Sequence, residues 1–265
     1  MKVIPLLLEH DDEDPDCALP LVEGTVSGRA YRFVLDTGAA RTHIVGDDHT
    51  ATLTQRPGAV SSGVFAAHEL TSVTLQDVRI GPVHRATVEA LLLNPEAGVA
   101  RNLLGMDVLR DYRCEFRFTA RQLVLSATGT TDGHQPLHLD VAAHPYVPAR
   151  WGNAEASCVW DSGASMTVVD EQFRLAHPDL FAPAGSSTGT DATGSRVTSA
   201  TYLMTPVRIG THQFPAHRVA AVDLSTPNAT LTRPMNLILG WTTLGQADWV
   251  FDFPAQRWAV AAPLG

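Results

Sequence analysis

The sequence predicts an all-β protein in which one unit occurs twice, and three observations lead there. Asp36-Thr37-Gly38-Ala39 returns as Asp161-Ser162-Gly163-Ala164, each copy following an apolar run and preceding a Thr with further aliphatics. Short runs rich in β-branched and aromatic residues, punctuated by Gly, Asp or Pro, dominate the chain, as strands do. Matching landmarks also recur in the same order, with spacings that drift slowly, as small loop insertions in a duplicated unit produce.

In chain order, Ile4 to Leu8 opens the first copy and resembles Gln135 to Leu139, which opens the second. Strands are predicted at Leu19 to Val26 and Ala30 to Leu35, joined at Ser27-Gly28, whose chemistry suits a tight hairpin turn. Gly152-Asn153 does the same before the second triplet. Further strands are predicted at His68 to Val78, Arg85 to Leu93 and Cys114 to Leu125. Val78-Arg79-Ile80-Gly81 recurs as Val207-Arg208-Ile209-Gly210, and Phe116-Arg117-Phe118 as Phe251-Asp252-Phe253. Helix is sparse, with candidates at Asp107 to Tyr112, Asp170 to His177 and Thr243 to Ala247. Ser126 to Gly133 is small and polar, so the boundary falls between lobes 1–128 and 129–265.

Composition narrows the classes of function. A chain of 265 residues with 45% hydrophobic residues has ample material for a core. Its net charge of −9 argues against nucleic acid and anionic membrane as partners, which call for a basic face. Much of that charge lies in His10 to Asp16, an acidic loop without a counterpart in the second half, which reads as a solvated insertion rather than a docking site. The amino terminus lacks the pattern of a secretory signal, and no apolar run reaches the roughly 18 residues of a membrane span. Cys17, Cys114 and Cys158 are odd in number and form no Cys-x-x-Cys pair, so core thiols in a cytoplasmic protein are expected. Of eleven histidines only His134 and His138 have ligand-like spacing, which is too few for a zinc site. Neither metal nor cofactor is expected.

An Asp-(Thr/Ser)-Gly triplet arises by chance in about one chain in ten of this length, but two in matched contexts do not. Leu103-Leu104-Gly105-Met106 stands downstream of the first and Ile238-Leu239-Gly240-Trp241 downstream of the second. Together these motifs resemble the aspartic proteases, and within them the retropepsin-like group, because Ala follows each triplet. The resemblance covers nearly the whole chain and implies two fused β-barrel lobes with an active-site cleft between them. By it, Asp36 and Asp161 form a catalytic pair. Two carboxyls that close cannot both ionise, so they share a proton and together supply a base for water and an acid for the leaving nitrogen. Thr37 and Ser162 would bond across the lobes, while Gly38 and Gly163 would let the chain turn and substrate backbone approach. Ala39 and Ala164 offer the carboxylates no hydroxyl, so ionisation is less favoured and activity should extend to mildly acidic or near-neutral pH.

The resemblance further implies that Leu103 and Ile238 line pockets beside the cut, with Arg101 and Asn236 giving one side a polar wall. Covering hairpins are expected around Pro57 to Ala66 and Thr188 to Val197, both rich in small residues. The chain departs from the retroviral pattern at Ala40 and Ser165, where an acidic residue is usual, and at Met106 and Trp241, where its Arg partner would stand. Joint loss strands no charge. The sequence therefore reads as an aspartic endopeptidase acting on an extended peptide or protein, with one chain supplying both Asp and a monomer sufficient. The alternative is a catalytically silent peptide-binding module on the same fold.

Overall fold

In the computed structural model, residues 2–62, 67–95, 100–127, 129–130, 133–190 and 196–263 are described. The fold is all-β with short helices only. A sheet of eight strands is drawn from the first half, in the order Leu7–His10, Ala18–Val26, Arg29–Leu35, Leu103–Leu104, His43–Val45, Val83–Leu93, Ala67–Ile80 and Gln55–Ser62. Pairing of Gly24 with Ile80 and of Val26 with Val78 folds this sheet back on itself. A second sheet, of ten strands, uses the second half.

The repeat read from the sequence is realised strand by strand. Thr25 pairs with Arg79 in the first lobe, and Arg150 pairs with Arg208 in the second, so the two Val-Arg-Ile-Gly copies occupy the same place. The second copy is more broken. Where Ala67–Ile80 and Val83–Leu93 are long and continuous, their counterparts are split into Arg196–Met204 with Val207–Ile209 and His212–Phe214 with His217–Val222. Pro206 and Pro215 stand at the two breaks, where a residue without an N–H cannot continue the ladder.

A third sheet joins the halves. Its six strands run Lys2–Pro5, Gln122–Ser126, Arg113–Arg117, Ala247–Asp252, Arg257–Pro263 and Gln135–Pro136. At its centre Arg113 pairs with Asp252 and Phe116 with Trp249, each lobe giving equivalent strands. Above it Trp160, fully buried, lies 4.6 Å from both the Phe116 and Phe251 rings and 5.8 Å from Trp249. One hydrophobic core therefore runs through both lobes.

Several local expectations need correction. Cys114 to Leu125 is not one strand but a hairpin, because Arg121 takes a positive φ of 52° and turns the chain. The helices are shorter than predicted: Met106–Leu109, Glu171–Ala176 capped by the Asp170 carboxylate, and Trp241–Leu244, with Ala247 already in a strand. A further turn of helix, Ser225–Asn228, was not foreseen. Ser27 and Gly28 both take positive φ as the hairpin requires, whereas at Gly152-Asn153 only the glycine does. The acidic loop is not wholly solvated. Asp14 pairs with Arg218 of the other lobe, and its carbonyl accepts from the Cys17 N–H at 2.8 Å. Cys17, Cys114 and Cys158 are all buried free thiols, and burial raises each pKa, that of Cys17 to about 12.

Because Trp160 holds the aromatic centre of the core and directly precedes Asp161, Trp160→Ala should cost about 3–5 kcal/mol in urea unfolding. A loss below about 1 kcal/mol would show that the shared core does not depend on it.

Candidate active site

The strand Arg29–Leu35 ends at Asp36, and Ala154–Trp160 ends at Asp161. Each is held by a parallel neighbour, Leu35 beside Leu104 and Trp160 beside Leu239. The Asp36 and Asp161 N–H groups donate to the Leu104 and Leu239 carbonyls, both at 3.0 Å. The glycine after each neighbour has a steric reason. A Cβ on Gly105 would sit 2.5 Å from the Arg41 carbonyl carbon, and one on Gly240 2.3 Å from the Met166 carbonyl oxygen. That close packing lets Met106 N–H reach the Ala39 carbonyl and Trp241 N–H the Ala164 carbonyl, each at 2.8 Å.

The lobes are tied at the triplets themselves. Thr37 Oγ1 donates to the Trp160 carbonyl at 2.8 Å, and Ser162 Oγ donates to the Leu35 carbonyl at 2.6 Å. In return each hydroxyl accepts from the other triplet's backbone, Thr37 N–H to Ser162 Oγ at 3.2 Å and Ser162 N–H to Thr37 Oγ1 at 3.0 Å. Both side chains are buried, so all four bonds lie out of water.

This tie brings the carboxyls of Asp36 and Asp161 together. A Cβ on Gly38 would lie 2.5 Å from the Asp161 carboxyl carbon, and one on Gly163 2.3 Å from that of Asp36. Among the described residues neither glycine has a positive φ. The chain turns at both glycines, as expected, without needing positive φ; glycine is required there because the opposite carboxyl occupies the space of a side chain. Asp36 Oδ1 accepts the Gly38 and Ala39 N–H groups of its own triplet, both at 2.9 Å, whereas from its own triplet Asp161 Oδ1 accepts that of Gly163, at 2.8 Å, and the Gly38 amide also favours its ionised form. Ala164 N–H turns instead to the Asp161 backbone carbonyl at 3.3 Å.

Burial, then repulsion from Asp161, pushes the Asp36 carboxyl well above its ordinary range. Burial also raises Asp161, but the Gly163 amide and the nearby His144 oppose the shift. Both shifts favour one proton held by the pair, with Asp36 the more strongly raised of the two.

Around the pair, two small apolar clusters mirror each other. Leu103 packs with Leu21, Val34 and Ala39, and Ile238 packs with Tyr146, Val159 and Met235 beside Ala164. Arg101 and Asn236 have other engagements. Arg101 pairs with Glu9, and the Asn236 side-chain oxygen accepts the Ser157 N–H at 2.9 Å. Met106 is buried in the core and Trp241 packs edge-on against Phe118 at 5.1 Å, so apolar contacts take the place of the missing ion pair.

The sequence reading missed His144. It comes from the loop after His138–Leu139, and its ring bonds Asp140 Oδ2 at 2.8 Å and the Gly38 carbonyl at 3.0 Å. The signal available was the spacing of Asp140 and His144 together with the repeat, which sets His144 against Leu19. Among the described residues no three His, Cys, Asp or Glu converge as a metal site would require.

Residues 22–111 match the family model of a gag-polyprotein putative aspartyl protease. The resemblance to retropepsin-like proteases is thereby shown for the stretch holding Asp36-Thr37-Gly38 and Leu103-Leu104-Gly105. None of the curated proteins matches the chain. Among solved structures it is similar to conglutin gamma, a basic 7S globulin from lupine seeds, at 10% identity and a TM-score of 0.55, over 99% of this chain and 95% of that one. That likeness shows the two-lobed fold alone.

Two measurements follow. Ser162→Ala leaves the Thr37 N–H without its acceptor and the Leu35 carbonyl without its donor, and should cost about 1–3 kcal/mol in denaturant unfolding; an unchanged midpoint would contradict the tie. Asp36 has a raised pKa in the fold, so its favourable contribution is present at low pH and lost as pH rises through that value. Asp36→Asn should therefore gain in melting temperature over the wild type as pH rises from about 4 towards neutrality, and a difference independent of pH would refute the raised value.

Proposed function

We propose that the chain is an aspartic endopeptidase whose catalytic pair is Asp36 and Asp161. The observation that carries this reading is the mutual burial of each carboxyl against the other lobe's glycine, with hydroxyls crossed beneath them. In this reading Asp161, ionised, takes a proton from a water held between the carboxyls. Asp36 gives its proton to the oxygen of the scissile carbonyl as the water attacks. As the tetrahedral diol collapses, Asp161 gives its proton to the departing nitrogen and Asp36 takes one back from a diol hydroxyl, so the C–N bond breaks and the pair returns to one shared proton. Apparent pKa values of such a pair belong to both groups together.

An extended peptide is the substrate class that suits the surroundings. Leu103 and Ile238, in mirrored apolar clusters, would line pockets on either side of the cut. Arg101 and Asn236 would give one side a polar wall, each anchored by its own partner, Glu9 and the Ser157 N–H. Two long hairpins support a covering role. They are Gln55–Ser62 with Ala67–Ile80 and Phe181–Thr190 with Arg196–Met204, each with a register shift in its first strand. Residues 63–66 and 191–195, which connect these strands in sequence, lie outside the described residues.

The division into lobes 1–128 and 129–265 is proposed on the two large sheets, neither of which takes a described strand from the other half. Because one chain supplies both Asp, a monomer suffices. Among the described residues no helix is long and apolar enough to cross a membrane. A cytoplasmic setting is proposed on the three free buried thiols.

The test is digestion of a diverse peptide library by the wild type and by Asp161→Asn between about pH 4 and 8, read by mass spectrometry. Cleavage confined to the wild type is expected, with its maximum inside that range rather than at its acid end. Failure of both proteins to cut any peptide, or equal cutting by both, would overturn the reading. A wild type that binds library peptides without cutting would point to the silent binding module.

A further inference from the structure

We propose that His144, held as an imidazolium between the Asp140 carboxylate and the Gly38 carbonyl, is a one-sided clamp that positions the catalytic pair and places its negative charge on Asp161. This rests on the reading of Asp36 and Asp161 as a working pair.

The charge state follows from the partners. Nδ1 faces Asp140 Oδ2 at 2.8 Å and Nε2 faces the Gly38 carbonyl at 3.0 Å. A carbonyl only accepts, and Asp140 is ionised. Its Oδ1 takes the Ala142 and His144 N–H groups, both at 2.9 Å, and despite burial these bonds and His144 hold its carboxyl below the usual range. Both ring nitrogens must therefore carry hydrogen, which only the cation does. Burial opposes that charge, but Asp140 and then Asp161 outweigh it, and the imidazole pKa is raised. The other charged or titratable groups facing this corner are Asp36, the Tyr146 phenol, the His138 ring 5.6 Å from Tyr146, and Arg233, whose guanidinium lies 6.0 Å above the Tyr146 ring. Two close carboxylates against one more distant guanidinium leave the corner favourable to a cation.

The clamp explains an asymmetry in an otherwise two-fold site. His144 grips the peptide between Gly38 and Ala39 from the opposite lobe, and on that side both amides point at the Asp36 carboxylate. In the repeat its counterpart is Leu19, which packs against the cluster of Leu21, Val34, Ala39 and Leu103. The Gly163–Ala164 peptide is accordingly without such a partner among the described bonds, and there only one amide reaches the carboxylate. The cation beside Asp161 favours its ionised form, while Asp36, only 7% exposed, keeps the proton. Loss of the His144 proton must break one of its two bonds. The clamp should therefore fail on the alkaline side.

The test is an NMR titration of the His144 ring in the wild type, Asp140→Asn and Asp161→Asn, together with cleavage profiles of His144→Gln and His144→Leu. The His144 midpoint should lie above that of an ordinary histidine and fall in both Asp variants. His144→Gln, which keeps a donor to Gly38 but not the cation, should lose the alkaline inflection and part of kcat, less than His144→Leu loses. His144→Leu should lose at least tenfold in kcat with KM changed by less than about threefold, its fold verified by its melting curve. A midpoint at or below the ordinary value that neither Asp variant moves would overturn the clamp, as would an unaltered pH profile in His144→Gln. The titration needs no turnover, so a protein that cuts nothing but shows the raised, Asp-dependent midpoint refutes the protease reading and leaves the clamp's charge intact.

Discussion

The four crossed hydrogen bonds of Thr37 and Ser162 are the constraint on which the site depends. Two carboxyls so close repel when both are ionised, and burial penalises each charge, so the fold must hold them together. The tie at the base of the two triplets does so with neutral groups, and it gives both hydroxyls and both backbone N–H groups a partner. It works only because the strands leading to it are already fixed, through the parallel pairs Leu35 with Leu104 and Trp160 with Leu239. Those pairs in turn rest on the aromatic core that Trp160 shares with the central sheet. Stability and site geometry are thus one problem, solved at the junction of the lobes.

Duplication within one chain allows the halves to diverge where a symmetric dimer could not. The scaffold has kept its symmetry, down to the pairing of the Val-Arg-Ile-Gly repeats. The departures are local. Prolines break the second copy's long strands, the acidic loop of the first lobe is pinned by Asp14 to Arg218, and His144 stands where the first copy has Leu19. Only the last acts on the Asp36 and Asp161 pair, through the Gly38 carbonyl and its charge. A two-fold dyad has no reason to place its proton on one side, whereas an inserted cation gives it one.

What was legible in the sequence was what is encoded locally. The triplets, the apolar-apolar-Gly signatures and the strand punctuation each lie within a few residues, and they located the pair and the fold. Hidden were features whose partners are remote in sequence. Gly38 precedes the loop that places His144 by 106 residues, so nothing near His144 announced the bond. The partner of Arg101, Glu9, lies on another strand, and the carboxyl that Gly38 makes room for belongs to the other lobe. Strand breaks at Pro206, Pro215 and Arg121 are local, but they count only once register shows which strand each interrupts.

The central claim is that Asp36 and Asp161 hold one proton between them. Carboxyl carbon NMR on protein labelled at Asp, titrated through the acidic and neutral range, tests it most directly. The account requires both resonances to move together in two steps, the upper step well above the ordinary carboxylate value of about 4 and carried mainly by Asp36. Two independent single-step titrations, both at the ordinary value, would contradict it.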